Sequence, residues 1–325
     1  MEHPPDRVTG GYGAYARRLL ARLGQAVATL AVASVLIFGL LAVAPGDPAQ
    51  QLLAARGINQ PSVAQLANVR RQLGLDRALP VRYLHWALGA LHGNLGLSFE
   101  SGQPVTSELA SRLPATLRLG ALAALITVGL AVVTALLAAL FEGSWVDAGL
   151  RGAALAVCAL PAFLIGLLAL RFLIVGLGMG RVVADGSWHE AVIPACCVAL
   201  LPAGQLSRLL RAGLVRFLAS PAAFVVSARG GTKLRVLVVH ALPNAAVPTL
   251  TVLGVSLAYL LTGTAVIEAV FSWPGIGQYL VASVQVRDVP VIEGFTMLAT
   301  AGFVSTSLVV DALSALIDPR LRGAH

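Results

Sequence analysis

Charged residues are scarce in this chain of 325 residues, and lysine is almost absent. Asp, Glu, Lys and Arg together make up 12% of the sequence, whereas hydrophobic residues make up 57%. This balance argues against a soluble globular protein. The single lysine, Lys233, follows Thr232, so the sequence contains no phosphate-binding loop of the form Gly-x-x-x-x-Gly-Lys-Ser/Thr. The chain therefore does not bind ATP through that motif.

Motifs for metal binding and catalysis are also missing. The three cysteines, Cys158, Cys196 and Cys197, all lie in apolar runs and lack the spacing of metal ligands. Neither His-Glu-x-x-His nor Gly-x-Ser-x-Gly occurs. The formal net charge of +8 would suggest nucleic acid in a soluble protein, but here the arginines lie between apolar runs. We therefore predict no catalytic residues, no metal site, no cofactor bound by this chain and no nucleic-acid partner.

Long runs without charge are what the sequence has in abundance. Crossing the hydrocarbon core takes about 20 residues, with roughly 17 as the lower bound. The runs show no alternation of apolar and polar residues, so helices are expected and β-barrel strands are not. We predict an all-α membrane protein with six transmembrane helices. The six runs lie at residues 23–46, 119–141, 152–170, 191–207, 236–267 and 294–310.

Basic flanks predict the orientation. Arg17, Arg18 and Arg22 precede the first run, and Arg320 and Arg322 follow the last, so the positive-inside rule places both termini in the cytoplasm. The localisation that follows is the plasma (inner) membrane, with multiple passes. The predicted divisions are a cytoplasmic segment at 1–22, a first helix at 23–45, an extracytoplasmic loop domain at 46–113, a core with helices two to six at 114–317 that includes a basic cytoplasmic loop at 208–245, and a cytoplasmic tail at 318–325.

A cleaved signal peptide is the alternative interpretation of the first run. Basic residues lead into it, and Ala42, Val43 and Ala44 look like a small-residue cleavage site. The run is longer than a usual signal core, however, and Pro45 would follow the cut. We expect a retained helix.

Short motifs along the chain resemble those of the membrane subunits of binding-protein-dependent ABC importers, specifically the dipeptide, oligopeptide and nickel group. The resemblance extends from about residue 12 to residue 322, and the order and spacing of the motifs are more specific than any one of them. The motifs are Ala-Pro-Gly-Asp-Pro at 44–48, Gln-Leu-Gly-Leu-Asp at 72–76, Pro-Val-Arg-Tyr at 80–83, Gly-Asn-Leu-Gly-Leu-Ser-Phe at 93–99, Arg-Leu-Pro-Ala-Thr at 112–116, Ile-Glu at 267–268, Trp-Pro-Gly-Ile-Gly at 273–277, Arg-Asp-Val-Pro-Val-Ile at 287–292, Asp311, and Asp-Pro-Arg-Leu-Arg at 318–322.

The resemblance implies a permease with the type I ABC importer architecture. It implies four kinds of partner: a second homologous permease subunit, two ATP-binding subunits that hold ATP and Mg²⁺, an extracytoplasmic substrate-binding protein, and the lipid membrane. In the family the cytoplasmic loop before the fifth helix carries a coupling helix that docks into a groove of the ATPase. The loop here is slightly shorter than usual and has no lysine before its glycines. The residues assigned to ATPase coupling are Phe224, Ala228, Arg229, Gly231, His240, Pro243 and Asn244.

A second set of residues is expected at the extracytoplasmic end of the fifth helix. An apolar Phe-x-Trp followed by proline and glycines suits a tight, partly buried turn that points back toward the pathway, whereas an ordinary surface turn is the alternative. Glu268 precedes the turn and could serve the gate or only form a hydrogen bond at a helix end. The residues assigned to the gate and pathway are Glu268, Phe271, Trp273, Pro274, Gly275 and Gly277.

Three other functions are weighed against an ABC permease. A secondary, ion-coupled carrier would need charges at mid-membrane depth, and the acids Glu268 and Asp311 lie near predicted helix ends. A membrane enzyme would need His or acidic residues clustered at one depth, and a scaffolding membrane protein needs neither. For the substrate, short peptides are favoured over nickel or a metal chelate. The stretch at 187–189 and the block at 287–295 look somewhat like nickel-type members.

Overall fold

A computed structural model describes residues 10–43 and 46–317 of the chain. The predicted tail at 318–325, and Ala44 and Pro45 of the first motif, lie outside the described residues. The first part of the fold is one long helix, followed by three short ones. These helices are α1 (Gly10–Val43), α2 (Pro48–Ala55), α3 (Val63–Gln72) and α4 (Leu79–Leu91).

The second part of the fold contains the long helices of the bundle. Two of them are continuous with short π-helical stretches, at Leu170–Gly176 and Val236–Ala241. The elements are α5 (Val105–Leu140), α6 (Trp145–Ala159), α7 (Ala162–Ala169), α8 (Trp188–Leu218), α9 (Pro221–Ala228), a single turn α10 (Lys233–Arg235), α11 (Leu242–Val270), α12 (Ile276–Gln285) and α13 (Val289–Ile317).

Four of these helices contain stretches long and apolar enough to cross a membrane, namely Gly24–Val43, Val105–Leu140, Trp188–Leu218 and Val289–Val309. A bent pair, Trp145–Ala159 with Ala162–Gly176, would make a fifth crossing. α11 is 29 residues long, so it is also long enough to cross. The prediction of an all-α membrane protein is confirmed. The number of six transmembrane helices stays a prediction.

The third predicted run is not one straight helix. Residues 152–170 are interrupted after Ala159, and the two halves meet at an angle of 103°. Leu160 has extended backbone angles, φ −89° and ψ 134°, because the ring of the following Pro161 disfavours a helical conformation in the residue before it. The expectation of a continuous helix was wrong here, and hydropathy could not reveal the break because the run carries no charge.

Two further boundaries differ from the sequence prediction. α5 begins at Val105, inside the segment assigned to the outer loop, and Pro114 lies within the helix rather than at its start. The basic segment 208–245 is mostly helical, because α8 continues to Leu218 and α9 follows after two residues. Both differences lengthen the helices at the ends of the bundle.

Small side chains bring the long helices together. Ala131, Ala135 and Ala139 of α5 are buried in a cluster that also holds leucines of α8. At Gly213 of α8, an added Cβ would lie 2.7 Å from the Cβ of Ala245 in α11. Lipid tails are as apolar as the side chains, so the hydrophobic effect does not drive helices together in a bilayer. Close van der Waals packing between small residues drives their association instead. The helices α5, α8 and α11 therefore form the centre of the bundle.

The segment between α1 and α5 has a small core of its own. Leu52 and Leu53 of α2 pack with Val69 of α3 and with neighbouring half-buried apolar residues. An ion pair between Arg70 and Asp47, 2.6 Å from Nη2 to Oδ2, joins α3 to the start of α2. The segment is thus a folded unit at the C-terminal end of α1.

Candidate functional site

The turn between α11 and α12 is buried. Phe271 is 1% exposed and Trp273 is fully buried, although both belong to a loop. Ser272 takes a positive φ of 46°, and the amide of Trp273 donates to the carbonyl of Glu268 at 2.8 Å. The chain therefore reverses direction within the protein, and the alternative of an ordinary surface turn was wrong.

Contacts to α5 hold this turn in place. The indole Nε1 of Trp273 donates to the carbonyl oxygen of Ala115 at 3.0 Å. The hydroxyl oxygen of Thr116 accepts a hydrogen bond from the amide of Ile276 at 2.9 Å. Both acceptors lie within two residues of Pro114 in the motif at 112–116, so that motif and the motif at 273–277 meet in space.

Glu268 caps the N-terminus of α12. The side chain is completely buried, and its Oε2 accepts from the amides of Gly277 at 2.7 Å and Gln278 at 3.1 Å. These amides have no partner within their own helix, because the first N–H groups of a helix are always left over. A carboxylate at this position is also favoured by the helix dipole. Glu268 thus ties the end of α11 to the start of α12.

Gly277 has no space for a side chain. An added Cβ would lie 2.7 Å from the Cβ of Ala265 and 2.8 Å from Oε2 of Glu268, and closer still to the Cα of Ala265. Gly275 is equally crowded by Glu268 and Thr116. The glycines at 275 and 277 are therefore required by the close approach of α12 to α11.

Replacing Gly277 with Ala is expected to weaken the packing of α12 on α11. The methyl group would collide with α11 backbone, at a cost of about 1–3 kcal/mol for overpacking. We expect a lower thermal midpoint for the purified protein in detergent, measured by intrinsic tryptophan fluorescence. Gly129→Ala is the matched control, because Gly129 lies within helix α5 and an added Cβ there meets nothing within 4 Å. Equal shifts for both variants would contradict the close packing of α12 on α11.

The six residues assigned to the gate thus come together at one turn. Five of them are buried, and Pro274 is half-buried against Gly186, where an added Cβ would lie 3.1 Å from Cγ of Pro274. Nothing in the structure tests their role in a pathway, so the gate stays a prediction. Two roles were considered for Glu268, a gate and a hydrogen bond at a helix end. The hydrogen bonds are present, but Glu268 belongs to α11 and caps the following helix, α12.

The start of α12 also faces a cationic residue of α5. The guanidinium carbon of Arg112 lies 4.5 Å from the ring centre of Tyr279, a distance typical of a cation–π contact. Burial raises the pKa of Tyr279 above its ordinary value, so the phenol stays neutral and α12 carries no titrating group of its own near physiological pH.

At the opposite end of the bundle, α9 is a short helix with well-defined ends. The hydroxyl of Ser220 accepts from the amide of Ala223 at its start. At its end, Gly230 has a φ of 83° and the amide of Gly231 donates to the carbonyl of Val226 at 3.1 Å, which is the closing pattern of a Schellman motif. Phe224 is 76% exposed, so this rigid helix presents a large apolar side chain outward.

The segment after α9 is anchored to the bundle. Lys233 donates from Nζ to the carbonyl of Leu140 at 2.7 Å. Its positive charge lies at the C-terminal end of α5, where the helix dipole places partial negative charge. Val236 and Leu237 are buried, and Leu237 packs in the cluster of α5 and α8. A push on α9 would therefore reach the centre of the bundle through a few residues.

The residues assigned to coupling divide into two groups. One group belongs to α9 and its C-terminal closure, and consists of Phe224, Ala228, Arg229 and Gly231. The other group lies where the π-helical stretch becomes α11, where the side-chain amide of Asn244 donates to the carbonyl of His240 at 2.7 Å and Pro243 is exposed. The coupling role itself stays a prediction for both groups.

An ion pair near this end was missed by the sequence analysis. Arg211 of α8 makes two hydrogen bonds to Asp147 of α6, Nε to Oδ1 and Nη2 to Oδ2, each 2.6 Å long. Asp147 is 1% exposed and also accepts from the amide of Gly143 at 3.2 Å. The pair is 64 residues apart in sequence, and no local pattern indicates it. It fastens the start of α6 to the part of α8 that leads into α9.

A second missed contact lies at the end of the bundle that carries α12. Asp288, which is 1% exposed, accepts from the hydroxyl of Ser98 at 2.6 Å and from the amide of Glu100 at 3.2 Å. The motif at 287–292 is therefore joined to the motif at 93–99. Within residues 10–43 and 46–317, no three His, Cys, Asp or Glu side chains come together as a metal site would require.

The chain matches family profiles and full-length proteins of known classes. Residues 131–323 match the family profile described as binding-protein-dependent transport system inner membrane component, and residues 15–120 match the profile of the N-terminal part of such membrane components. Three relatives cover 94% of this chain and 98% of their own length. They are a probable peptide ABC transporter permease protein of Sinorhizobium fredii (35% identity over 312 residues), a glutathione transport system permease protein of Escherichia coli (35% over 304 residues), and a dipeptide transport system permease protein of Escherichia coli (32% over 335 residues).

Proposed function

The chain belongs to the family of binding-protein-dependent transport system inner membrane components, and we propose that it forms half of the translocation pathway of an ATP-driven importer of short peptides. It is a transport subunit and not an enzyme, and ATP hydrolysis belongs to separate subunits of such systems. The observation that carries the peptide assignment is the agreement of the full-length relatives, which are named for peptides, dipeptides and glutathione.

The proposed assembly contains a second homologous permease, two ATPase subunits and an extracytoplasmic binding protein. The lack of a phosphate-binding loop in this chain supports the need for ATPase partners. The exposed Phe224 and Val225 on α9, 76% and 48% exposed, support a protein groove on the cytoplasmic side, because adjacent large apolar side chains on an exposed helix form a patch that a partner would cover.

The proposed mechanism follows α11 from one end of the bundle to the other. ATP-driven closure of the partner pushes α9, and the buried Leu237 transmits the push to α5, α8 and the base of α11. At its other end α11 holds α12 through Glu268. The turn at 271–277 then moves with α11 as a unit, which opens or closes the outer end of the pathway as two rigid halves rock.

The proposed topology has six crossings, made by α1, α5, the bent pair α6–α7, α8, α11 and α13, with both termini in the cytoplasm. Alkaline phosphatase and green fluorescent protein fusions check it. A fusion after Gly102 is expected to give phosphatase activity and no fluorescence, because that residue lies outside, and a fusion after Gly231 the reverse. The same signal at both positions would contradict this topology.

Uptake by the complete transporter tests the substrate. We expect proteoliposomes that contain the permease and its ATPases, with the binding protein outside, to accumulate radiolabelled dipeptides and tripeptides. Accumulation should require ATP on the ATPase side of the membrane, inside the vesicles. Free nickel ions should neither be accumulated nor compete. Nickel uptake with no peptide uptake would contradict the peptide assignment while leaving the permease assignment intact.

A further inference from the structure

One face of the short helix α4 is fastened to α1. The hydroxyl oxygens of Ser34 and Tyr83 lie 2.8 Å apart. The ring of Phe38 lies 5.6 Å from that of Tyr83 and 5.9 Å from that of Trp86, and the guanidinium of Arg82 lies 5.8 Å from the ring centre of Phe38. α4 is therefore held at the level of residues 34–38 of α1.

With α1 as the first crossing of the proposed topology, that level lies inside the membrane. The apolar stretch Gly24–Val43 has 20 residues, about 30 Å of helix, which matches the hydrocarbon core of a bilayer with little to spare. Arg22 stands just before it and prevents the stretch from sliding further in. Phe38 then lies about 7 Å, and Ser34 about 13 Å, below the membrane boundary near Val43, at a rise of about 1.5 Å per residue. A helix attached at these residues lies within the leaflet at the C-terminal end of α1.

The other face of α4 is open and mostly apolar, with the exposed His85 at its edge. Its large aliphatic side chains recur every three to four residues and so form one stripe along the helix. The stripe consists of Val81, Leu84, Leu88 and Leu91, which are 49%, 58%, 58% and 82% exposed.

The charge of α4 points the opposite way. Arg82 is half-buried and lines a cavity of about 340 Å³ together with Asp47, Asp76 and the buried Glu293 of α13. A helix in water turns its charges outward and its leucines inward, whereas α4 turns its arginine toward the protein and its aliphatic stripe away from it. This inversion is expected for a helix whose outer surroundings are hydrocarbon.

We propose that α4 is an interfacial helix embedded in the extracytoplasmic leaflet, with the stripe of Val81, Leu84, Leu88 and Leu91 against lipid acyl chains. The helix lies along the plane of the leaflet and does not span the membrane, because 13 residues are too few to cross a bilayer. The outer segment is thereby anchored to the membrane as well as to α1, whatever solute the protein transports.

Fluorescence quenching by depth-restricted probes tests this placement. Cys158, Cys196 and Cys197 are replaced with Ala, and a single cysteine at Leu88 or Leu91 is labelled with the environment-sensitive dye NBD. The complete transporter is placed in nanodiscs of phosphatidylcholine and phosphatidylglycerol, with or without phosphatidylcholine that carries a nitroxide on its acyl chain. Iodide serves as the aqueous quencher. Val63→Cys is the matched control, since it is 85% exposed on the polar helix α3.

We expect the nitroxide lipid to quench the dye at 88 and 91 severalfold more strongly than at 63, and iodide to show the reverse order. Nitroxide quenching at 88 and 91 no greater than at 63 overturns the proposal. Iodide then identifies the alternative occupant: strong iodide quenching means that the stripe faces water and the binding protein, and weak quenching by both probes means that it faces the second permease.

Discussion

Replacing Phe224 with Asp is expected to abolish ATP-driven transport while the chain still inserts into the membrane. Phe224 is 76% exposed on α9, so the substitution removes few contacts within this chain. If an ATPase groove covers the phenyl ring, the carboxylate enters that groove without a partner, at a cost of a few kcal/mol. Co-purification of the ATPase with the tagged permease, and ATP-dependent uptake, measure the effect.

Two control variants separate docking from charge. Phe224→Leu keeps an apolar side chain at the same position and is expected to retain most of the transport. Val63→Asp adds the same charge at a site that is 85% exposed on α3, far from α9 in the proposed topology, and is expected to leave ATPase association unchanged. A Phe224→Asp complex that purifies intact and transports at the wild-type rate would show that α9 is not the coupling helix.

Replacing Asp147 with Leu is expected to destabilise the end of the bundle that carries α9 by about 3–5 kcal/mol, because it leaves the largely buried Arg211 without its carboxylate. The reverse substitution, Arg211→Leu, should cost a similar amount. The double variant Asp147→Leu/Arg211→Leu should lose less stability than the sum of the single variants, since an apolar pair leaves no buried charge unpaired.

Thermal unfolding in detergent measures these losses, and ATP hydrolysis with and without transported substrate measures the functional effect. Arg151 offers the matched control: it lies 3.4 Å from the same carboxylate and is 52% exposed, so Arg151→Ala should cost at most about 1 kcal/mol. Additive losses in the double variant would mean that Asp147 and Arg211 stabilise the fold independently of each other.

The helical character of the chain could be predicted, because apolar runs of this length have few alternatives in a membrane. The break at Pro161 was missed since a hydropathy pattern records composition and not backbone geometry, although the proline itself was a signal. The buried turn at 273–277 was predicted from its glycines and its tryptophan, which together suit a turn enclosed by the protein.

Contacts between residues far apart in the chain could not be predicted from the sequence. Glu268 could be recognised as a residue near a helix end, but the helix that it caps, α12, begins only after a turn whose path the sequence does not define. The pairing of Asp147 with Arg211 depends on how α6 and α8 cross. The exposure of Phe224, by contrast, followed from its short helix between breakers at Pro221 and Gly230, and the structure has it exposed.

This chain is expected to conduct solute only when separate ATPase subunits drive it. The most direct measurement is uptake of a labelled dipeptide by proteoliposomes that contain the permease pair and the ATPases, with the binding protein on the extracytoplasmic side. Uptake should require ATP on the ATPase side, stop when ATP is replaced with a non-hydrolysable analogue, and be unaffected by an ionophore that removes ion gradients. Uptake that continues without ATP and disappears with the ionophore would contradict the account and indicate a secondary carrier.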